Sequence, residues 1–206
     1  MLIPIDRRWR HFHIYALLMD AQFRPGMLPA FSVLTDGVTS VRTWTFDDLK
    51  CIEEAGTDPE IPYGTTVPAI YSEEAGRAFI ERQWGRLSSG EGLSLATADA
   101  LTGTAVGLMC LLHRQQPGVM GVGYWTVVSE RGRGLTERSL VLLSRWALNE
   151  APIFRLEALV DPGNTPSIKV LEYAGFQREG ILRKYLGDDD GRDDAALYSL
   201  LSDDVR

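Results

Sequence analysis

Gly123-Tyr124-Trp125-Thr126-Val127-Val128-Ser129-Glu130-Arg131-Gly132-Arg133-Gly134-Leu135-Thr136 joins two unlike halves near the middle of the chain. Its first half is a run of β-branched and aromatic residues, the composition of a strand. Its second half breaks that run with two glycines and two arginines. Residues 136–150 follow with Leu140, Leu143 and Ala147 along one side, and Leu142 and Trp146 widen the apolar face as in an amphipathic helix. Strand, glycine loop and helix in that order make an anion-binding corner. The glycines allow close backbone approach, successive N–H groups point into the loop, and the helix N-terminus favours negative charge. The stretch lacks the Gly-Lys-Ser/Thr of a phosphate-binding P-loop and is too short for the dinucleotide fingerprint.

Upstream of this corner, residues 93–98, 105–113 and 119–128 read as three successive strands. Gly103 marks the first turn between them and Pro117-Gly118 the second, so they form an antiparallel meander. Residues 73–87 space Ala75, Phe79, Ile80 and Trp84 as on a helix, and a helix capped by Thr45 or Asp47 runs through Glu54. Before it, residues 31–34 and 38–44 flank the turn signal Asp36-Gly37, as in a hairpin. Downstream, residues 154–160 read as a buried strand ended by Asp161-Pro162-Gly163. Asn164 or Thr165 caps a helix to Ala174, which Gly175 closes. Residues 176–186 and 195–201 form a last strand pair joined by an acidic turn, Asp188-Asp189-Asp190-Gly191, read as a solvated hairpin tip without calcium-loop spacing. The fold class is therefore mixed α/β (α+β), a twisted mixed sheet of six or seven strands with helices on both faces. Strands 119–128 and 154–160 are expected to splay into a central cleft.

A length of 206 residues fits one domain, taken as residues 31–206, after an N-terminal extension of uncertain structure over residues 1–30. A formal charge of −7 disfavours nucleic acid as a partner. No apolar stretch approaches the roughly 18 residues of a membrane span, and no secretion signal is read. Cys51 and Cys110 have no metal-type spacing and suit reduced thiols in a cytoplasmic protein. No metal site is expected.

Arg131-Gly132-Arg133-Gly134-Leu135-Thr136 resembles the Gln/Arg-x-x-Gly-x-Gly/Ala coenzyme A signature of the GNAT N-acyltransferase superfamily. Val160-Asp161-Pro162-Gly163-Asn164-Thr165-Pro166-Ser167 and Leu171-Glu172-Tyr173-Ala174-Gly175-Phe176 are similar to the second half of that family. Gly123-Tyr124-Trp125 and Gly180-Ile181-Leu182-Arg183 resemble its ribosomal-protein-alanine acetyltransferase-like branch. The resemblance covers residues 31–201. It implies an N-acetyltransferase that carries acetyl, or another acyl group, from acyl-CoA to a primary amine by direct attack in a ternary complex, with a homodimer as the assembly. The alternative is a non-catalytic acyl-CoA-binding sensor or interaction protein of the same fold.

The resemblance also implies site residues. The backbone of Val127 and Val128 would pair with the pantetheine arm, and Gly132, Gly134, Leu135 and Thr136 would hold the pyrophosphate, with Arg131 and Arg133 either reinforcing that contact or standing as loop charges. Asn164 and Ser167 match the branch's Asn-x-x-Ser pattern. Asn164 would orient the arm and Ser167 would protonate the leaving thiolate, although both residues equally suit a helix start. By the acidity of a phenol, Tyr173 and Tyr185 are alternative proton donors; Tyr173 is read as core and Tyr185 stays open between donor and core. The attacking amine must lose a proton, and related enzymes often place a glutamate before Gly-Tyr-Trp. Here Met120-Gly121-Val122-Gly123 holds no acid or base, which leaves His113 and Glu130 as the nearest candidates. The acceptor wall is expected near Pro62-Tyr63-Gly64 and Trp84.

Overall fold

The structure is a computed structural model that describes residues 28–29, 31–188 and 191–205. The expected extension, apart from Leu28 and Pro29, and the aspartates at 189 and 190 therefore lie outside the described residues. Eight strands form one sheet: β1 (Leu34–Thr35), β2 (Thr39–Arg42), β3 (Gly92–Asp99), β4 (Ala105–His113), β5 (Val119–Thr126), β6 (Arg155–Val160), β7 (Gln177–Asp188) and β8 (Gly191–Leu201). Their order is β1-β2-β3-β4-β5-β6-β8-β7. The sheet is larger than six or seven strands because every strand-like stretch of the sequence, the two of the opening hairpin included, joins it. That hairpin turns where expected: Asp36 Oδ1 accepts from the N–H groups of Val38 and Thr39, and Gly37 takes φ +84°.

The helices are α1 (Leu49–Ala55), α2 (Glu60–Gly64), α3 (Glu73–Ser89), α4 (Leu135–Glu150) and α5 (Thr165–Tyr173). The sequence reading did not foresee α2, whose five residues include Pro62 and carry no periodicity. Strand alternation divides the sheet into two buried faces. Leu93, Leu95, Met109, Leu111 and Met120 meet Leu140 and Leu143 of α4 on one face. Ala96, Leu108 and Trp125 meet Trp44, Ile52, Phe79 and Ile80 on the other, under α1 and α3. Helices thus cover both faces. Burying Leu140 and Leu143 completely contributes about 2 kcal/mol each, so packing rather than helix propensity holds α4 in place. One core reading needs correction: Tyr173 is 61% exposed, because it sits at the solvent side of the last turn of α5, while Leu171 fills the core instead.

The feature that places the site is a change of direction. Neighbouring strands pair antiparallel except β5 and β6, which are parallel because α4 carries the chain back across the sheet. Their pairing runs through Val119↔Arg155, Met120↔Leu156 and Gly121↔Glu157 and stops there. On its far edge β5 stays paired with β4 as far as Gly107↔Thr126, and β6 stays with β8 to Val160↔Ala196. Residues 122–126 and 158–160 therefore face a gap, the splay that the sequence reading expected.

Candidate active site

The glycine loop lies at the open end of that gap. The strand expected to reach residue 128 ends at Thr126. Val127 turns away, its N–H donating to Val106 O at 2.9 Å and its carbonyl accepting from Glu130 N–H at 3.1 Å. Val128 starts a 3-10 turn and is 55% exposed. The strand backbone left facing the gap is thus 122–126, while the N–H and carbonyl of Val127 bond within the protein.

Gly132 and Gly134 take φ +75° and +74°, and a Cβ built on either would meet no atom within 4 Å. The loop backbone is both left-handed and open. Gly134 is the N-cap of α4 and no side chain caps it, so the first N–H groups of a sixteen-residue helix lack the usual cap. Arg131 and Arg133 shape this loop from behind. Arg131 Nε donates to Thr126 O at 3.0 Å and its Nη2 to Asp58 Oδ2 at 2.5 Å. Arg133 pairs with Asp99 Oδ2 at 2.6 Å and with Glu130. Hydrogen bonding from Arg133 lowers the pKa of Asp99, and the Glu60 N–H lowers that of Asp58 with help from Arg131. The guanidinium charges are met by carboxylates. Thr126 Oγ1 and Thr136 Oγ1, 2.6 Å apart, fasten the strand end to the helix start.

Across the gap, Asn164 Oδ1 accepts from Ser167 N–H at 3.1 Å and caps α5. Ser167 is not idle beyond that cap. Its Oγ lies 2.8 Å from Tyr124 Oη, and the phenol also reaches Ser167 O at 3.0 Å. Tyr124 projects from the unpaired part of β5 and so links the two sides of the gap. Burial pushes its pKa up to about 12, against the opposing effect of the Ser167 hydrogen bond. The sequence reading used Tyr124 only as a family mark, since nothing local shows that residues 124 and 167 meet.

On the other face, a cavity of about 600 Å³ is lined by His113, Arg114, Val119, Arg155, Glu157 and Tyr185. His113 and Tyr185, distant in sequence, meet here, while Ser167 lies on the opposite face. His113 ends β4, and burial lowers its pKa. Tyr185 is brought in by an irregularity in the β7–β8 register between Leu182 and Leu186, where Lys184 adopts φ +53°. Glu157 was overlooked in sequence. It stands opposite Gly121 at the last paired position, and the alternation with buried Leu156 and Ala158 turns it to the cavity face. A charged residue at alternate positions of an otherwise apolar strand was the available signal. Arg155 donates to Glu157 at 2.7 Å and forks onto Glu179 at 2.7 and 2.5 Å. Glu130 is held by Arg133 and is not part of this wall, nor are Tyr63, 88% exposed, and Trp84, whose Nε1 donates to Trp44 O. Among the described residues no cluster of three or more His, Cys, Asp or Glu could hold a metal ion, and no helix is long and apolar enough to cross a membrane.

A mixed sheet that parts beside a glycine loop and an uncapped helix defines the acetyltransferase class, and comparison with known proteins bears this out. Residues 40–177 match the family described as "Acetyltransferase (GNAT) domain", and the chain belongs to that family as an N-acetyltransferase. It is 30% identical over 138 residues to the probable N-acetyltransferase YjcK of Bacillus subtilis (strain 168), covering 65% of this chain and 75% of that protein. The fold is shared with Mycobacterium smegmatis RimJ, solved in complex with CoA-disulfide (TM-score 0.71, 22% identity, covering 88% of this chain and 91% of that one). It is also shared with the microcin C7 self-immunity acetyltransferase MccE, solved with acetyl-CoA and AMP (TM-score 0.71, 17% identity, covering 85% and 98%).

Proposed function

We propose that this acetyltransferase moves an acetyl group from acetyl-CoA to a primary amine by direct attack, with both substrates bound together. The observation that carries this reading is the parting of β5 and β6 after Gly121 and Glu157, with the open loop at Gly132 and Gly134 at its mouth. The CoA-disulfide complex of RimJ and the acetyl-CoA complex of MccE support the choice of cosubstrate. The residues present fit such a ligand: a free strand edge suits an amide-bearing arm, and uncapped N–H groups with space around them suit a pyrophosphate. Residues 122–126 would hold the arm, and the backbone of Gly132 to Thr136 the pyrophosphate.

When bound, acetyl-CoA supplies an electrophilic thioester carbonyl. The two faces of the sheet then divide the proton work. As the N–C bond forms and the C–S bond breaks, Glu157 on the cavity face takes the proton that the amine loses. On the other face, the Tyr124–Ser167 pair donates a proton to the departing thiolate. Asn164 holds Ser167 by capping α5. His113 and Tyr185 line the acceptor side without a direct part in either transfer. The proposed setting is the cytoplasm, where the free thiols of Cys51 and Cys110 stay reduced. A homodimer, carried over from the family resemblance, would show in light scattering as twice 22.9 kDa.

The test is release of CoA thiol from acetyl-CoA across an amine panel, with wild type and Glu157→Gln compared. Amine-dependent release is expected, and its kcat should fall about 100-fold in the variant while acetyl-CoA binding persists. Tight acetyl-CoA binding without turnover on any amine would overturn the catalytic reading in favour of a binding protein.

A further inference from the structure

Arg114 differs from the other arginines near the site. Arg131, Arg133 and Arg155 each meet a carboxylate. Arg114 forms no ion pair or side-chain hydrogen bond among the described residues, and its Nε is buried without a partner. Its position is specific. A Cβ built on Gly121 would lie 2.5 Å from Arg114 Nη2 and 2.6 Å from both Cζ and Nε, so the guanidinium lies against the bare backbone of Gly121. Gly121 and Glu157 are the last residues paired before β5 and β6 part. Arg114 and Glu157 line the same cavity at that vertex.

We infer that the acceptor is a small amine carrying an anionic group, carboxylate or phosphonate-like, close to the amino group, and that Arg114 recognises that anion. This rests on the transfer reading above, because it assigns the acceptor end of the same site. A guanidinium that no carboxylate among the described residues meets is costly in a half-buried wall, and its planar fork matches a two-oxygen anion. Arg155, the other cation of the wall, is already occupied by Glu157 and Glu179, and that hydrogen bonding raises its pKa. The cavity therefore offers one cation to the ligand, beside one carboxylate suited to an amine. This pairing fits an α-amino acid or a close analogue. A peptide N-terminus has an amide, not an anion, next to its amino group and leaves Arg114 unanswered. The glycine at 121 has a direct part here, since any side chain would displace the guanidinium.

The experiment measures kcat/KM on the full chain, at saturating acetyl-CoA, for a series of α-amino acids, their carboxamides and the matching 1-aminoalkylphosphonic acids. The acids should exceed the carboxamides by roughly 10- to 100-fold, the range for a hydrogen-bonded charge. The carboxylate and phosphonate arms tell which anion is preferred. In Arg114→Gln the acid-to-amide ratio should collapse toward one, and in Arg114→Lys it should be restored in part. A ratio near one in the wild type, or one unchanged in Arg114→Gln, overturns the inference. If no amine turns over, the transfer reading fails separately, and the same ratio measured as dissociation constants by calorimetry on the CoA-bound protein still decides the role of Arg114.

Discussion

At the scale of single residues, the site depends on contacts between positions far apart in the chain. Tyr124 and Ser167 are 43 residues apart, yet their oxygens are 2.8 Å from one another. Tyr124→Phe keeps the ring and removes the donor, so kcat should fall about 10- to 100-fold with little change in KM for acetyl-CoA. Steady-state kinetics checks this, and a raised KM with unchanged kcat would assign the pair to binding instead. The raised pKa of Tyr124 has a further consequence. The fold favours the neutral phenol, so the stability it contributes is complete below the 10 of an ordinary tyrosine and is lost as pH rises toward about 12. The donor should therefore remain protonated, and kcat should show no tyrosine-dependent fall up to about pH 10. These contacts were not legible in sequence because hydrogen bonds between distant residues have no local pattern. Ser167 was found through its motif, but Tyr124, Glu157 and Arg114 required the strand register.

At the scale of elements, the boundary between β5 and α4 shows what sequence patterning can and cannot fix. The apolar periodicity of residues 136–150 placed α4 within one residue, since its buried face repeats at helical spacing. The end of β5 was misplaced by two residues because Val127 and Val128 have strand-like side chains, whereas the N–H groups of Glu130 and Arg131 close a 3-10 turn onto their carbonyls. The last hairpin was longer than read, since its polar residues 191–193 pair through backbone groups whatever their side chains. The loop depends on glycine geometry. Gly134→Ala forces a side chain to φ +74° and should cost about 1–2 kcal/mol. Denaturant unfolding measures that loss, and KM for acetyl-CoA should rise along with it. A variant with unchanged KM would show that the loop backbone does not contact the ligand.

At the scale of the whole molecule, two buried cores on opposite faces hold a sheet in which β5 and β6 part after three paired positions. The far side of that gap is braced by ions: Arg155 binds Glu157 and Glu179, and Ser199 also donates to Glu179. Arg155 and then Ser199 hold the Glu179 pKa down to about 2, from 4.5. Its contribution to stability is therefore present above 4.5 and is lost as pH falls through about 2. Thermal unfolding of Glu179→Gln should show a weaker decline in Tm than the wild type between about pH 5 and pH 3, and identical slopes would deny the brace. The fold class was legible from the order of strands and helices, while the acceptor side was not, because its wall is assembled from β4, β5, β6 and β7. On the proposed function, the parted strands and the glycine loop together receive acetyl-CoA. A crystal structure of the acetyl-CoA complex would show the pantetheine arm along residues 122–126, the pyrophosphate on the N–H groups of Gly132 to Thr136, and the thioester between Tyr124 and Glu157. A cofactor bound away from this gap would contradict it.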